Sequence, residues 1–274
     1  MIKEQNYKIK ENYDEDVLSA ILDNFDIGGE IVAQGGRNLI KKFKIVNNGQ
    51  EKEINIKKFG KKNILTQFVY KFFTGSKAKR SYEFANMLLG KNIKTPKPIA
   101  YFDDYVNKET GEKRSFYISE ELKYDFTCRE VFWNEEMTPD MKVKMSNNRN
   151  EVIRQFAEFT FDLHEKGIKF EDFSPGNVLI KRENNGKYGF YLVDLNRMKF
   201  YEKLDFNTRM KNVSRMMEFK IFVEEFSKEY AKLYRLPYKK IFEKLYYYVT
   251  IHKYRVLFKD NTRFLREIFR KKKN

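Results

Sequence analysis

The sequence is poor in the residues that staple or interrupt a fold. A single cysteine, Cys128, in 274 residues excludes an internal disulfide and any cysteine-based zinc cluster, so nothing in the chain calls for an oxidising compartment. A cytoplasmic location is the default expectation. There are only five prolines, and no glycine follows Gly189. No apolar run approaches the ~18 residues of a membrane span. The opening MIKEQNYKIKENYDED carries both signs of charge without an apolar centre, so no secretory signal is read there. Acidic residues are outnumbered, 39 Asp and Glu against 55 Lys and Arg, for a net charge of +16. That surplus favours an anionic partner such as a nucleotide, a phosphorylated sugar, nucleic acid or an acidic membrane face, and does not choose among them.

What is present argues for a folded globular protein. Hydrophobic residues make up 41% of the chain and 26 residues are phenylalanine, which need an interior. The length suits one large domain or two lobes sharing a cleft. A leader over residues 1–27 carries a short amphipathic helix near Val17 to Leu22. Strand-like runs follow at Glu30 to Gln34, Leu39 to Val46 and Glu53 to Phe59, separated by Gly35-Gly36-Arg37-Asn38 and Asn47-Asn48-Gly49-Gln50. From Asn63 to Gly90 the pattern turns helical, with Ala78, Tyr82, Ala85 and Leu89 on one face. Two more strands, Ile99 to Tyr105 and Arg114 to Leu122, complete an expected five-stranded small lobe.

The second half reads as mainly helical around one hairpin. A short helix is expected around Cys128 to Trp133, and Val152, Phe156, Phe159 and Leu163 set the buried stripe of a longer one. Val178 to Arg182 and Tyr188 to Asp194 flank Asn184-Asn185-Gly186, a hairpin signal. Helical periodicity then continues over roughly 206–233, 237–257 and 262–272. His164 is expected to be structural, bonding the loop backbone.

The chemistry concentrates between Leu163 and Met198. Asp172 and Asn177 stand five apart, apolar Val178-Leu179-Ile180 follow, and Asp194 stands directly after a further apolar run. This is the spacing of a phosphotransferase catalytic loop D-x-x-x-x-N followed by a metal-binding Asp. Asp172 would orient an attacking hydroxyl and accept its proton; Asn177 and Asp194 would offer Mg²⁺ the hard oxygen donors it prefers. Alone, D-x-x-x-x-N is a common turn composition. Its context, a helix ending in Leu163-His164, a Gly167-Ile168 turn and the hairpin, gives it weight.

Such a site needs a lysine for the nucleotide phosphates and an acid to hold that lysine. Ile54-Asn55-Ile56-Lys57 ends the third strand in the manner of V-A-I-K, with Lys58 as the competing choice on the opposite strand face. Between Lys57 and Phe102 the only acidic residue is Glu83, which makes it the expected partner. Gly35 and Gly36 fall where a turn would approach phosphate with its backbone N–H groups, assisted by Arg37; a plain hairpin turn reads equally well.

Together these blocks resemble the lipopolysaccharide core kinase family, the Kdo and heptose kinases of bacterial envelope synthesis, within the protein-kinase-like superfamily. The resemblance rests on Gly35 to Asn38, Lys57-Lys58-Phe59, Ser76 to Ser81, Leu163 to Ile168, Asp172-Phe173-Ser174-Pro175-Gly176-Asn177 and Asp194-Leu195-Asn196-Arg197-Met198. It implies an α+β, bilobal protein-kinase-like fold, with a small antiparallel-sheet lobe over residues 1–122 and a helical lobe over 123–274. It implies ATP and Mg²⁺ as cofactors and a Kdo or heptose hydroxyl of an anionic glycolipid as acceptor, at the inner face of the membrane. By position, Asp172 becomes the base, Asn177 and Asp194 the metal ligands, Lys57 the phosphate lysine, Glu83 its partner, and the backbone from Glu120 to Leu122 the adenine hinge. The basic run Lys57, Lys58, Lys61, Lys62, Lys71, Lys77, Lys79, Arg80 would face phosphorylated lipid or an acidic leaflet, and no nucleic acid is expected.

Three departures from protein kinases narrow the acceptor. Phe170-Glu171 precede Asp172 in place of His-Arg, Leu195-Asn196 follow Asp194 in place of Phe-Gly, and no A-P-E occurs, Pro237 being the sole later proline. A glycolipid or other small acceptor is favoured over a regulated protein substrate. The alternatives are a kinase of another small-molecule or protein acceptor, and a non-catalytic kinase-like scaffold holding an anionic partner.

Overall fold

A computed structural model describes residues 6–35, 38–60, 75–132 and 148–271, the side chains of 185, 260, 261 and 263–271 excepted. The chain divides into two compact units, Met1–Lys123 with Leu192–Arg197, and Tyr124–Tyr191 with Met198–Asn274. The short return of Leu192–Arg197 to the first unit was not anticipated by a single boundary after residue 122.

The first unit is an antiparallel sheet of six strands, one more than expected, in the order β1-β5-β6-β4-β3-β2. These are β1 (Tyr7–Ile9), β2 (Glu30–Gly35), β3 (Asn38–Asn47), β4 (Gln50–Phe59), β5 (Pro98–Val106) and β6 (Lys113–Glu120). The extra strand, β1, has three residues, too few for periodicity to register, and pairs Tyr7 with Phe102. The β3–β4 turn is Asn48-Gly49 with φ of 52° and 73°, the left-handed pair a two-residue hairpin demands. Helix α1 (Glu15–Asp23) is capped by Asp14, which accepts from Asp16 N and Val17 N. It buries Leu18 and Leu22 in a core with Phe25, Ile54, Ile56, Phe102, Phe116 and Ile118.

Helix α2 (Lys77–Gly90) begins where Ser76 Oγ accepts from Lys79 N at 3.0 Å. Its helical expectation upstream, over 63–74, lies outside the described residues. Ala78 and Tyr82 seal against Phe59 and Tyr101. Leu192–Arg197 is stitched to this unit by Leu192 N donating to Lys94 O at 3.0 Å, by Thr95 Oγ1 donating to Leu192 O at 2.8 Å, and by burial of Leu195.

In the second unit, β7 (Phe126–Thr127), β9 (Val178–Arg182) and β10 (Tyr188–Leu192) form one sheet, and β8 (Ile168–Phe170) pairs β11 (Met198–Phe200) in another. Helix α3 (Cys128–Phe132) buries Cys128, whose thiol is pushed up by burial and is inert. Helix α4 (Arg149–Glu165) buries Val152, Ile153, Phe156, Ala157 and Leu163. The expected helix over 206–233 is two, α5 (Phe206–Val213) and α6 (Lys220–Tyr234), whereas the two expected after Pro237 are one, α7 (Tyr238–Lys271). With no glycine or proline between 257 and 262, nothing breaks α7.

Candidate active site

The residues expected to meet phosphate, Lys57 and its surroundings, lie within the first unit. Lys57, in the middle of the sheet and paired in register with Tyr117, is buried, and its Nζ lies 2.6 Å from Asp194 Oδ1. Asp194 sits in the left-handed region at φ 60°, a backbone state that costs a non-glycine residue about 1 kcal/mol or more and clusters at functional sites. Asn196 Nδ2 donates to the same Oδ1 at 2.6 Å. Lys58, on the opposite strand face, pairs with Asp26 and lies over the Phe25 ring.

Glu83 does not hold Lys57: it is exposed on α2, and Lys57 is paired with Asp194 instead. Helical phase explains this. Ala78, Tyr82, Ala85 and Leu88 form the buried face, and Glu83 lies about 100° round the helix from Tyr82. Sequence elimination found the sole acid in the interval, but not the direction it faces.

Three further cations lie near the lysine. Arg80 Nε donates to Asn196 O at 3.1 Å and its Nη1 to Gly75 O at 2.7 Å, tying the start of α2 to the 192–197 segment. Lys77, although exposed as a residue, has an ammonium whose pKa is held below the usual lysine value, first by desolvation and then by the neighbouring Arg197 and Lys57, against the pull of Asp194. Lys57, Arg80 and Arg197 thus all bear on Lys77 with Asp194 as the opposing carboxylate, an excess of positive charge suited to a polyphosphate. The basic run and the Ser76 to Ser81 block of the family resemblance pointed to Lys77 and Arg80 without giving either a role. Of that run, Lys61, Lys62 and Lys71 lie outside the described residues.

At the edge of this sheet Gly35 closes the β2–β3 hairpin opposite Asn38; Gly36 and Arg37 lie outside the described residues. In the stretch expected to be the hinge, Glu120 N–H donates to Lys97 O and Glu121 N–H to Glu53 O, both at 2.9 Å. Among the described residues Leu122 N–H has no main-chain acceptor, so it is the donor this stretch can offer a ligand.

The loop expected to carry the base, with Asp172 and Asn177, lies within the second unit. Asp172 follows β8, and the loop is folded by Phe173 N to Phe170 O at 3.1 Å and by one 3₁₀ turn, Pro175–Asn177. Phe173 is buried against the rings of Phe170 and Phe156. Asn177 Nδ2 donates to Asp172 O at 2.9 Å, which leaves its amide oxygen as the acceptor of the group. Arg215 Nη2 lies 3.1 Å from Asp172 Oδ1, and Nη1 donates to Glu171 O at 3.1 Å. Arg215 comes from the break between α5 and α6 and gave no signal in the sequence. Burial pushes the Glu171 carboxyl up, but hydrogen bonds from Lys169 and Lys199 outweigh it and hold the group below its usual range.

Beneath the loop lies a buried relay. Asn212 Nδ2 donates to Phe170 O at 2.7 Å, which presents its Oδ1 to His164 Nε2 at 3.3 Å, while His164 Nδ1 meets Tyr230 Oη at 2.9 Å. This fixes the Nε2–H tautomer, with Nδ1 accepting from the tyrosine. Burial pushes the histidine pKa down to about 3, so the ring is neutral and serves as a strut, not a proton carrier.

Each unit by itself carries an oxygen donor of the kind Mg²⁺ prefers. Asp194 offers a carboxylate and Asn177 an amide oxygen, both hard ligands; an ion that keeps waters and phosphate oxygens in its shell needs one or two such groups from the protein. Among the described residues no three His, Cys, Asp or Glu converge as a self-contained metal cage.

Comparison with known proteins places this architecture. A structure of WaaP in complex with acyl carrier protein is similar over 91% of this chain and 97% of that one, at 13% identity and a TM-score of 0.56. A Rio2 kinase–ADP/Mg²⁺-phosphoaspartate complex from Chaetomium thermophilum is similar over 84% of this chain and 65% of that one, at 13% identity and a TM-score of 0.44. No curated protein sequence matches. The fold is α+β and protein-kinase-like, with an antiparallel-sheet unit and a mainly helical one. The sequence pattern of the lipopolysaccharide kinase (Kdo/WaaP) family matches residues 33–235, about three-quarters of the chain. The chain belongs to that family, and is accordingly an ATP-dependent kinase of lipopolysaccharide core that transfers phosphate to an alcohol acceptor.

Proposed function

We propose that this enzyme transfers the γ-phosphoryl group of ATP to a hydroxyl of a Kdo or heptose residue in the core, working at the cytoplasmic face of the membrane. The observation that carries the site assignment is the 2.6 Å pair between Lys57 and Asp194, with Asp194 in a left-handed backbone state. A buried strand lysine and a strained carboxylate are thereby held together by residues far apart in sequence, as phosphate binding requires.

In this reading Lys57 and Lys77 hold phosphate oxygens, and Leu122 N–H with the Glu120 carbonyl reads the adenine edge. Asp172, fixed by Arg215, orients the acceptor hydroxyl and takes its proton as the oxygen attacks phosphorus. The bond to the β–γ bridging oxygen breaks and ADP leaves. Asn177 and Asp194 are the residues that would offer oxygen ligands to Mg²⁺, which would neutralise phosphate charge when bound. The acceptor preference is supported by the family and by Phe170-Glu171 and Leu195-Asn196, which differ from the protein-kinase pattern.

The test is transfer of labelled phosphate from ATP to Kdo-terminated and heptose-containing core acceptors. Label on either sugar, lost in Asp172→Ala with ATP binding retained, is the expected result. ATP binding with no transfer to any such acceptor would reject the reading.

A further inference from the structure

Helix α7 changes character along its length. Ile241, Leu245 and Val249 are buried at a spacing of four, so the first turns are anchored in the second unit. Past Thr250 the cover ends: every residue from Lys253 to Lys259 is exposed. A helix leaving a protein body is expected to be polar all round. This one exposes Tyr254 at 68%, Val256 at 43%, Leu257 at 49% and Phe258 at 72%. Tyr247, Tyr254 and Phe258, at steps of seven and four, share one face, and Tyr247 is itself 55% exposed.

The charge beside this apolar ridge is one-sided. Residues 239–274 contain twelve Lys and Arg against three acids, a surplus of nine, so a segment of 36 residues carries more than half of the +16 of the whole chain. Arg255 and Lys259 lie among the exposed aromatic and aliphatic positions. No helix among the described residues is long and apolar enough to cross a bilayer. An aromatic ridge flanked by cations on an uncovered helix is the signature of a segment that lies in the headgroup region of an anionic bilayer.

We infer that the outer part of α7, from Tyr247 through Phe258, is a membrane-docking helix for an anionic lipid surface. The inference rests on the proposed function in one respect: an acceptor embedded in a bilayer gives the enzyme a reason to be there. It also moves the expected lipid contact away from the basic run of the sheet unit, where Lys57, Lys58 and Arg80 are engaged by Asp194, Asp26 and Asn196.

The experiment is flotation of the full chain with vesicles of phosphatidylcholine alone or with phosphatidylglycerol added, at low and high salt. Two variants accompany it, Tyr254→Ser/Leu257→Ser/Phe258→Ser and Arg255→Glu/Lys259→Glu, chosen at exposed positions so that circular dichroism and ATP binding stay as in the wild type. Expected is flotation with the anionic vesicles only, weakened by salt and reduced at least tenfold in both variants, with phosphate transfer to a soluble acceptor fragment unchanged. Wild-type protein that ignores anionic vesicles, or floats equally well in either variant, overturns the inference. Flotation is scored without turnover, so failure of the kinase reading would leave this result standing and would be recognised separately.

Discussion

Arg215 Nη2 stands 3.1 Å from Asp172 Oδ1 while its Nη1 bonds the carbonyl of Glu171, so one guanidinium fixes both the proposed base and the backbone before it. Lysine keeps the charge but loses the planar fork. Arg215→Lys and Arg215→Ala are therefore expected to lower kcat, the alanine variant on the order of 10²-fold, as for an ångström-scale misplacement of a reacting group. The KM for ATP should change little. Steady-state kinetics decide it; an unchanged kcat in Arg215→Ala would mean the pair is ornamental.

Lys57→Met and Asp194→Asn should each abolish detectable transfer, whereas Glu83→Gln should retain most of it. The contrast follows from where the lysine ammonium lies, 2.6 Å from Asp194, and from the exposure of Glu83. Initial rates of all three variants give the answer. A Glu83→Gln variant as damaged as Lys57→Met would assign the partner to the helix acid after all.

Lys77 is expected to act on nucleotide binding more than on the chemical step. Lys77→Met should raise the KM for ATP by roughly tenfold, about 1.4 kcal/mol, with kcat nearly preserved. Because its pKa is lowered by desolvation and by Arg197 and Lys57, the free-enzyme ammonium discharges at lower pH than an ordinary lysine. ATP affinity should thus weaken toward alkaline pH in the wild type, and this pH dependence should shrink in Lys77→Met.

His164 predicts an acid sensitivity with a defined window. Its pKa is 6.5 for an ordinary solvated imidazole and about 3 in the fold, so between these values the unfolded chain takes up a proton that the native state refuses. Stability therefore falls as pH drops through that window, by about 1.4 kcal/mol per pH unit where the difference is one proton, and is insensitive to this group above it. Urea unfolding at pH 7 and pH 5 should reveal the slope, and His164→Gln should flatten it. Equal slopes in the two proteins would remove His164 as the cause.

Gly167, the turn from α4 into β8, has φ of 70°, and a Cβ there would stand 1.8 Å from the Tyr201 carbonyl oxygen. Since that obstacle is backbone, also bonded through Tyr201 N to Gly167 O at 2.8 Å, it cannot swing aside. Gly167→Ala should cost several kcal/mol, more than the ~1 kcal/mol of a left-handed alanine alone. Thermal unfolding checks this, with Gly186→Ala, whose Cβ meets nothing within 4 Å, as the milder control.

What the sequence could convey depended on how local the signal was. Asn48-Gly49 and the alternation on either side placed a hairpin because turn chemistry and register are both local. Most of the buried face of α2, namely Ala78, Tyr82 and Ala85, was legible for the same reason. The five-residue spacing from Asp172 to Asn177 was likewise written in one short loop, where one side chain bonds the backbone of the other. Three-residue strands such as β1, β8 and β11 carry no periodicity, and Arg215 reaches Asp172 from a helix break that composition does not mark. The partner of Lys57 was misassigned because proximity in sequence stood in for direction in space, which only the phase of α2 decides.

The return of Leu192–Arg197 to the sheet unit has a consequence for how the protein is made. An emerging chain can lay down all six strands and α2 while Lys57 remains a buried cation awaiting its counter-charge, which arrives 137 residues later. Contacts of such separation form late and slowly. A fragment ending at residue 123 should accordingly be an incomplete unit, poorly stable when excised, and adding back a peptide covering 192–197 in trans should fail to restore it at ordinary concentrations. Biosynthesis of this enzyme thus withholds the Lys57–Asp194 pair, the proposed phosphate-binding charge arrangement, until most of these residues have been made.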